Sequence, residues 1–254
     1  MSDHPRPPCV QVDLRADGVA LITLGRPAAR NAINLAMATE LVAAVAAGQT
    51  ARCIVVTGAD PAFCAGLDLR DLGTDRVADL PQFIEAVATS GVPTIAAVNG
   101  PAVTAGLEIA LACDFVVASE RARFADTHVR VGVYPGPVLV DLPRRVGMAK
   151  AREMSMTGNF VDADTALRIG LANHVVPHDE LLPLACALAA AIAEQDPAMI
   201  AGMRHDWDVT DELPLEAAHQ RHREIARELG FSGVRRDRLQ ANMASVVARA
   251  RTQQ

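Results

Sequence analysis

Short runs of buried-strand character recur through the first half of this chain, and they constrain its fold more than any other feature. Arg52 to Thr57 carries Cys-Ile-Val-Val, Pro93 to Val98 carries Thr-Ile-Ala-Ala-Val, and Asp114 to Ala118 carries Phe-Val-Val-Ala. Runs this short and this apolar suit strands covered on both faces. The first is followed by a loop from Gly58 to around Gly73, with Pro61 and Gly66 in it, and then by a helical pattern from Leu80 to Thr89. The second is broken by Asn99-Gly100-Pro101, after which a helix is expected from near Thr104 to Ala112. Strand, loop and helix repeated in that order predict an α/β domain. A length of 254 residues allows one large domain, or a domain with a small appendage.

The flanking segments complete the outline. Val10 to Leu14 and Val19 to Leu24 lie either side of Asp17-Gly18, a dipeptide that favours a tight turn, so a β-hairpin is expected. Asn34 can cap a helix beginning at Leu35, with Leu41, Val42 and Val45 on one face and Gly48 as a stop. From Val138 onward the pattern turns mostly helical, apart from a brief strand from Asn173 to Val176 that ends at Pro177. From about Pro197 the chain is polar and helical, with an apolar stripe of Leu239, Met243, Val246 and Val247. That stripe has to pack back on the body or on another subunit. The expected organisation is a Pro-rich disordered tail over 1–9, a core over 10–195 and a helical region over 196–254.

Composition excludes several functions. Half of the residues are hydrophobic but only 3% are aromatic, so the core is built from Ala, Val, Leu and Ile. A net charge of −6 argues against nucleic acid as the main ligand. No basic, apolar start marks a secretory signal, and Leu181 to Ala193 is too short to span a bilayer. The cysteines Cys9, Cys53, Cys64, Cys113 and Cys186 are scattered and lack metal-ligand spacing, which reads as reduced thiols in a cytoplasmic protein. No metal cluster, P-loop or dinucleotide fingerprint is seen.

Two small-residue segments draw chemical attention. Gly58-Ala59-Asp60-Pro61-Ala62-Phe63-Cys64-Ala65-Gly66-Leu67-Asp68-Leu69 leaves one buried strand, and Val98-Asn99-Gly100 through Glu108 leaves another and enters a helix. Both sit at the carboxyl ends of strands, where open α/β folds bind ligands. Small side chains let a ligand approach the main chain, and free N–H groups at a helix start can hold developing negative charge. Taken singly, either segment also reads as an ordinary turn.

In order along the chain, these segments resemble the enoyl-CoA hydratase/isomerase (crotonase) superfamily. Arg26-Pro27-Ala28-Ala29-Arg30-Asn31-Ala32-Ile33-Asn34 looks like its early motif, beside the CoA site. Phe63 to Leu69 and Val98 to Glu108, with Ala112-Cys113-Asp114, look like its two oxyanion segments. Phe124-Ala125-Asp126 to Gly132-Val133-Tyr134-Pro135-Gly136 looks like its catalytic loop. The resemblance implies an α/β fold, a ClpP-like spiral of repeated ββα units with a C-terminal helical oligomerisation region, assembled as a homotrimer or a dimer of trimers. It implies Leu67 N–H and Ala105 N–H as an oxyanion hole. Glu108 then matches one catalytic carboxylate, and it also reads as a first-turn acid favoured by the helix dipole.

His128 departs from the pattern, falling where hydratases carry a second glutamate. Imidazole is an acid or base near neutral pH, and an Asp126–His128 partnership is open if the segment is extended and both side chains face one way. Relatives that shift dienes or displace halide have an acid where this chain has Gly136, so the resemblance does not point to those reactions. Arg30 and the Ala65 C=O are the implied CoA contacts, whereas Arg235, Arg236 and Arg238 read as a solvated helix face. Coenzyme A is part of an acyl-CoA substrate, so no separate cofactor, nucleic acid or membrane partner is implied. The favoured reading is hydration of a 2-enoyl-CoA. The alternatives are a double-bond isomerase using Glu108 alone, and a non-catalytic acyl-CoA-binding or RNA-binding relative.

Overall fold

In a computed structural model of the chain, the described residues are 8–71 and 80–231, with 240, 243 and 247. The chain divides into two compact units, Met1–Gln195 and Asp196–Gln254.

The first unit opens with the expected hairpin. Strands β1 (Val10–Leu14) and β2 (Val19–Leu24) pair antiparallel, from Val10 opposite Leu24 to Leu14 opposite Ala20. Gly18 closes the turn at φ +82°, a conformation that glycine adopts freely. Helix α1 (Leu35–Gly48) begins where the Asn34 side chain accepts the Met37 N–H at 3.0 Å. Its inner face buries Met37, Ala38, Leu41 and Val45.

Strands β3 (Cys53–Gly58), β4 (Thr94–Val98) and β6 (Phe115–Ser119) then lie side by side in parallel, and with β9 (His174–Val176) they complete a six-stranded sheet of order β1-β2-β3-β4-β6-β9. Helix α2 (Phe83–Ala88) stands between β3 and β4 in sequence. The continuous apolar runs have a physical reason. Alternate residues point to opposite faces, and both faces are covered. Ile54, Val56, Ala96 and Val98 join a cluster with Leu41 of α1 and Ile109 of α3 (Ala105–Ala112). Cys53, Val55, Ile95 and Ala97 join another with Leu181, Ala185 and Ala189 of α8 (Leu181–Ala193).

A second sheet was not anticipated. β5 (Pro101–Val103), β7 (Arg123–Ala125) and β8 (Val161–Asp162) form three strands in that order. Asn99-Gly100-Pro101 does end β4, but the chain immediately enters β5, whose first residue is the proline that a strand tolerates there. The result is a repeated turn: β4, β5, α3, and then β6, β7, α4 (His128–Val131). The turn after β3 supplies only Cys64, bridged in parallel to Ala102. This is the ββα repetition that the resemblance implies. The unit continues with α5 (Val138–Val146), α6 (Met148–Thr157), α7 (Ala163–Arg168) and β9 (His174–Val176) before α8.

In the second unit, α9 (Pro197–Thr210) starts where the Asp196 side chain accepts the Ala198 N–H, and α10 (Leu215–Glu228) packs on it. Within the stripe read from the sequence, Leu239 and Val246 lie outside the described residues. Met243 and Val247 are about half exposed, at 53% and 49%. Arg235, Arg236 and Arg238 also lie outside the described residues, as does the N-terminal tail up to Pro7. Cys9, assigned to that tail, is buried instead, because its N–H donates to Glu40 Oε2 and its C=O accepts from Gly25. No single described helix is long and apolar enough to cross a membrane.

Candidate active site

The two small-residue segments pack against each other at the start of α3. Ile33 N–H donates to Gly66 C=O and Asp68 N–H donates to Ile33 C=O, both at 2.8 Å, which makes Leu67 the bridged residue opposite Ile33. In such a parallel bridge the bonded groups belong to Leu67's neighbours, so its own N–H turns away. Among the described residues that N–H has no acceptor. Ala105 is the first residue of α3, where the helix leaves its N–H groups unused, and that amide also has no acceptor among the described residues. Ala105 is absent from the residues with positive φ; the left-handed position is Thr104, at φ +47°.

Only glycine fits at the contact between the segments. A β-carbon on Gly66, which has φ +96°, would lie 2.0 Å from Thr104 Oγ1, and one on Gly106 would lie 2.1 Å from the Cys64 C=O. Beside this contact is a cavity of about 190 Å³ lined by Ala65, Leu67, Thr104, Thr127 and His128, with Leu69, Val131 and Val133 as its apolar wall.

His128 and Asp126 meet, but not through an extended segment. The chain leaves β7 at Ala125 and turns into α4, whose first residue is His128. Asp126 Oδ1 takes the His128 backbone N–H at 3.3 Å and lies 2.6 Å from its ring Nδ1. The turn, rather than strand alternation, brings the two groups together. Burial alone would raise the Asp126 carboxyl. The hydrogen bonds from His128, the nearby Ser155 hydroxyl and the imidazolium charge hold it below the usual range instead. The same contact with Asp126, aided by the Glu108 charge, pushes His128 above its ordinary value.

Glu108 is 4% exposed, and its Oε1 accepts the Val138 N–H at 3.3 Å. Burial pushes this carboxyl up, Asp126 and Asp141 push the same way, and Val138 and His128 pull it back. Glu108 does not line the cavity. Its carboxylate lies instead against Gly136, which is itself exposed. The charge on each of Glu108 and His128 favours the charged form of the other.

The implied CoA residues are also neighbours: Ala65 N–H donates to the Arg30 C=O at 3.0 Å, and the Arg30 side chain belongs to an exposed residue. The residues that hold this arrangement escaped the sequence reading. Asn31 is fully buried at φ +56° and donates through Nδ2 to the C=O groups of Ala59 and Ala62, both at 2.7 Å. Arg26 bonds Asp68 Oδ2 at 3.0 Å, next to Leu67. Both Asn31 and Arg26 lie within the early motif, so the motif itself was the available signal. Burial pushes the thiol of Cys64, within the first small-residue segment, up to about 12, so it stays protonated near neutral pH. Among the described residues no cluster of His, Cys, Asp and Glu could hold a metal ion.

Comparison with known proteins agrees with this architecture. A family model described as enoyl-CoA hydratase/isomerase matches residues 15–236. A probable peroxisomal enoyl-CoA hydratase 1 from Arabidopsis thaliana is 36% identical over 225 residues, covering 83% of this chain and 82% of that one. A 2,3-dehydroadipyl-CoA hydratase from Escherichia coli is 37% identical over 220 residues, covering 83% and 86%. An enoyl-CoA hydratase subunit structure from Geobacillus kaustophilus superposes with a TM-score of 0.84 at 32% identity, covering 93% of this chain and 95% of that one. An enoyl-CoA hydratase structure from Mycobacterium smegmatis gives a TM-score of 0.73 at 40% identity, covering 89% and 100%. The repeated ββα fold, the paired loops and these matches together place the chain in the enoyl-CoA hydratase/isomerase family of the crotonase superfamily.

Proposed function

We propose that this protein is an enoyl-CoA hydratase that adds water reversibly to a 2-enoyl-CoA thioester. The observation that carries the reading is a pair of main-chain N–H groups, at Leu67 and Ala105, without an acceptor among the described residues, at a cavity that Leu67 and His128 line, with buried Glu108 one turn further along α3. The thioester oxygen accepts from Leu67 N–H and Ala105 N–H, and each such donor lowers the barrier by about 3 kcal/mol as charge gathers on that oxygen. Glu108, ionised, takes a proton from water as the water oxygen bonds to C3. The enolate electrons then collect a proton at C2 from the His128 imidazolium. An imidazolium standing where relatives carry a second glutamate supplies the same proton, and Asp126 favours that charged form. Arg30 holds a CoA phosphate and the Ala65 C=O holds the adenine or pantetheine. Coenzyme A is part of the substrate, and the chemistry calls for no separate cofactor.

The purified protein, incubated with a panel of 2-enoyl- and 3-enoyl-CoA thioesters, should convert the former to 3-hydroxyacyl-CoA, identified by mass and chromatography. Conversion of 3-enoyl to 2-enoyl thioesters without hydration would make it an isomerase using Glu108 alone. Binding without turnover would make it a non-catalytic acyl-CoA-binding relative. The same proposal includes a homotrimer or dimer of trimers, supported by Met243, Val247 and Trp207, which a single chain leaves exposed. Sedimentation of a stable monomer at micromolar concentration would contradict it. The five cysteines are buried and outside any disulfide, which fits work in the reducing cytoplasm.

A further inference from the structure

We propose that Asp126 is a positioning residue for this reaction: its carboxylate holds the His128 ring so that Nδ1 keeps its proton toward Asp126 and Nε2 faces the substrate. The inference rests on the reading of His128 as the acid that serves C2, and it adds a group that the mechanism above does not itself consume.

The geometry makes the assignment. Asp126 is fully buried, and Oδ1 takes both the His128 backbone N–H and the ring Nδ1, at 3.3 and 2.6 Å. Those two bonds fix the ring against its own backbone. The other oxygen, Oδ2, is buried without a hydrogen bond. A carboxylate so placed is costly if its only task is to shape a turn, which an Asn or Ser does without a charge. A charge-assisted bond to imidazolium offsets that cost. A 2.6 Å contact between carboxylate and ring nitrogen also requires a proton between them, and that leaves Nε2 as the exchanging atom. Of the other elements packed here, α3 carries Glu108, whose charge favours the charged ring, and α5 carries Asp141, which acts on Glu108. α6 carries Ser155, which acts on Asp126, together with Lys150, Arg152 and Glu153.

The proton inventory then closes. Nε2–H gives its proton to C2, and the ring is left neutral with Nδ1–H still bonded to Asp126. Glu108, holding the proton from water, returns it to Nε2, and both groups regain their charges. Asp126 gains and loses nothing.

The test is nitrogen-15 NMR of the histidine rings as a function of pH, with His128 assigned among the seven histidines by its loss in His128→Gln. In the wild type the neutral His128 ring should be the Nδ1–H tautomer, the less common form in water. Its titration midpoint should lie above the ordinary 6.5. In Asp126→Asn the midpoint should fall by about one unit or more. The alkaline limb of kcat for crotonyl-CoA hydration should move down with it while KM changes little, and Asp126→Glu should restore part of both. A wild-type ring carrying Nε2–H, or equal midpoints in wild type and Asp126→Asn, would overturn the assignment. The tautomer is read without substrate or variant. A protein that hydrates nothing would therefore refute the proposed function while the NMR result still decides the role of Asp126.

Discussion

A β-carbon placed on Gly136 would lie 3.1 Å from Glu108 Oε1. The absent side chain is therefore part of how the carboxylate is housed, and Gly136 covers it from an exposed position. Contact that tight forces a shift of a few tenths of an ångström onto the group to which the proposed mechanism gives the activation of water. Gly136→Ala should lower kcat by about 3- to 10-fold, and Gly136→Val by more, with the fold intact. Steady-state rates and circular dichroism on the same samples check this; an unchanged kcat in Gly136→Val would contradict the account of Glu108.

Asn31 makes a second, structural prediction. Its amide donates two bonds to the Ala59 and Ala62 carbonyls, holding the loop that leads to Leu67. Asn31→Asp keeps the shape but sets carboxylate oxygens against those carbonyls. It should destabilise the protein by about 2 kcal/mol or more at pH 7, and by less near pH 4, where protonation restores a donor. Urea midpoints at the two pH values measure it.

The long elements were legible because their signals are redundant. Helix α1 combines a capping Asn34, an apolar face and a terminal Gly48, and all agree. Strands β3, β4 and β6 are apolar throughout because α1, α3 and α8 cover both faces of their sheet. The small sheet was not legible, since β5 and β7 have three residues each and β8 two, too few for any period to show. Motif order placed Glu108, His128, Leu67 and Ala105 in one region. It did not reveal the turn into α4 that joins His128 to Asp126, because an extended backbone was assumed there. Asn31 and Arg26 stayed hidden for a related reason: they act on a loop distant in sequence, which only the folded chain brings to them.

Glu108 should also reveal itself in stability. Burial raises its folded pKa above the ordinary 4.5. The folded protein thus holds a proton that the unfolded chain releases. The resulting stability is complete below about pH 4.5 and is lost as pH rises through the folded pKa. Glu108→Gln removes that loss while keeping an acceptor for Val138 N–H. The variant should melt higher than wild type at pH 7, with the gap closing at pH 4. A variant less stable than wild type at pH 7 would contradict the raised pKa.

The central claim, that Glu108 and His128 together move the protons of hydration, is tested most directly by steady-state rates on crotonyl-CoA. Glu108→Gln should lose at least about 100-fold in kcat while CoA binding stays nearly intact, because the main-chain contacts to the thioester survive. His128→Ala should lose about 10- to 100-fold. His128→Glu should match or exceed wild type by restoring the pair of carboxylates. A wild-type rate in Glu108→Gln would contradict the claim outright.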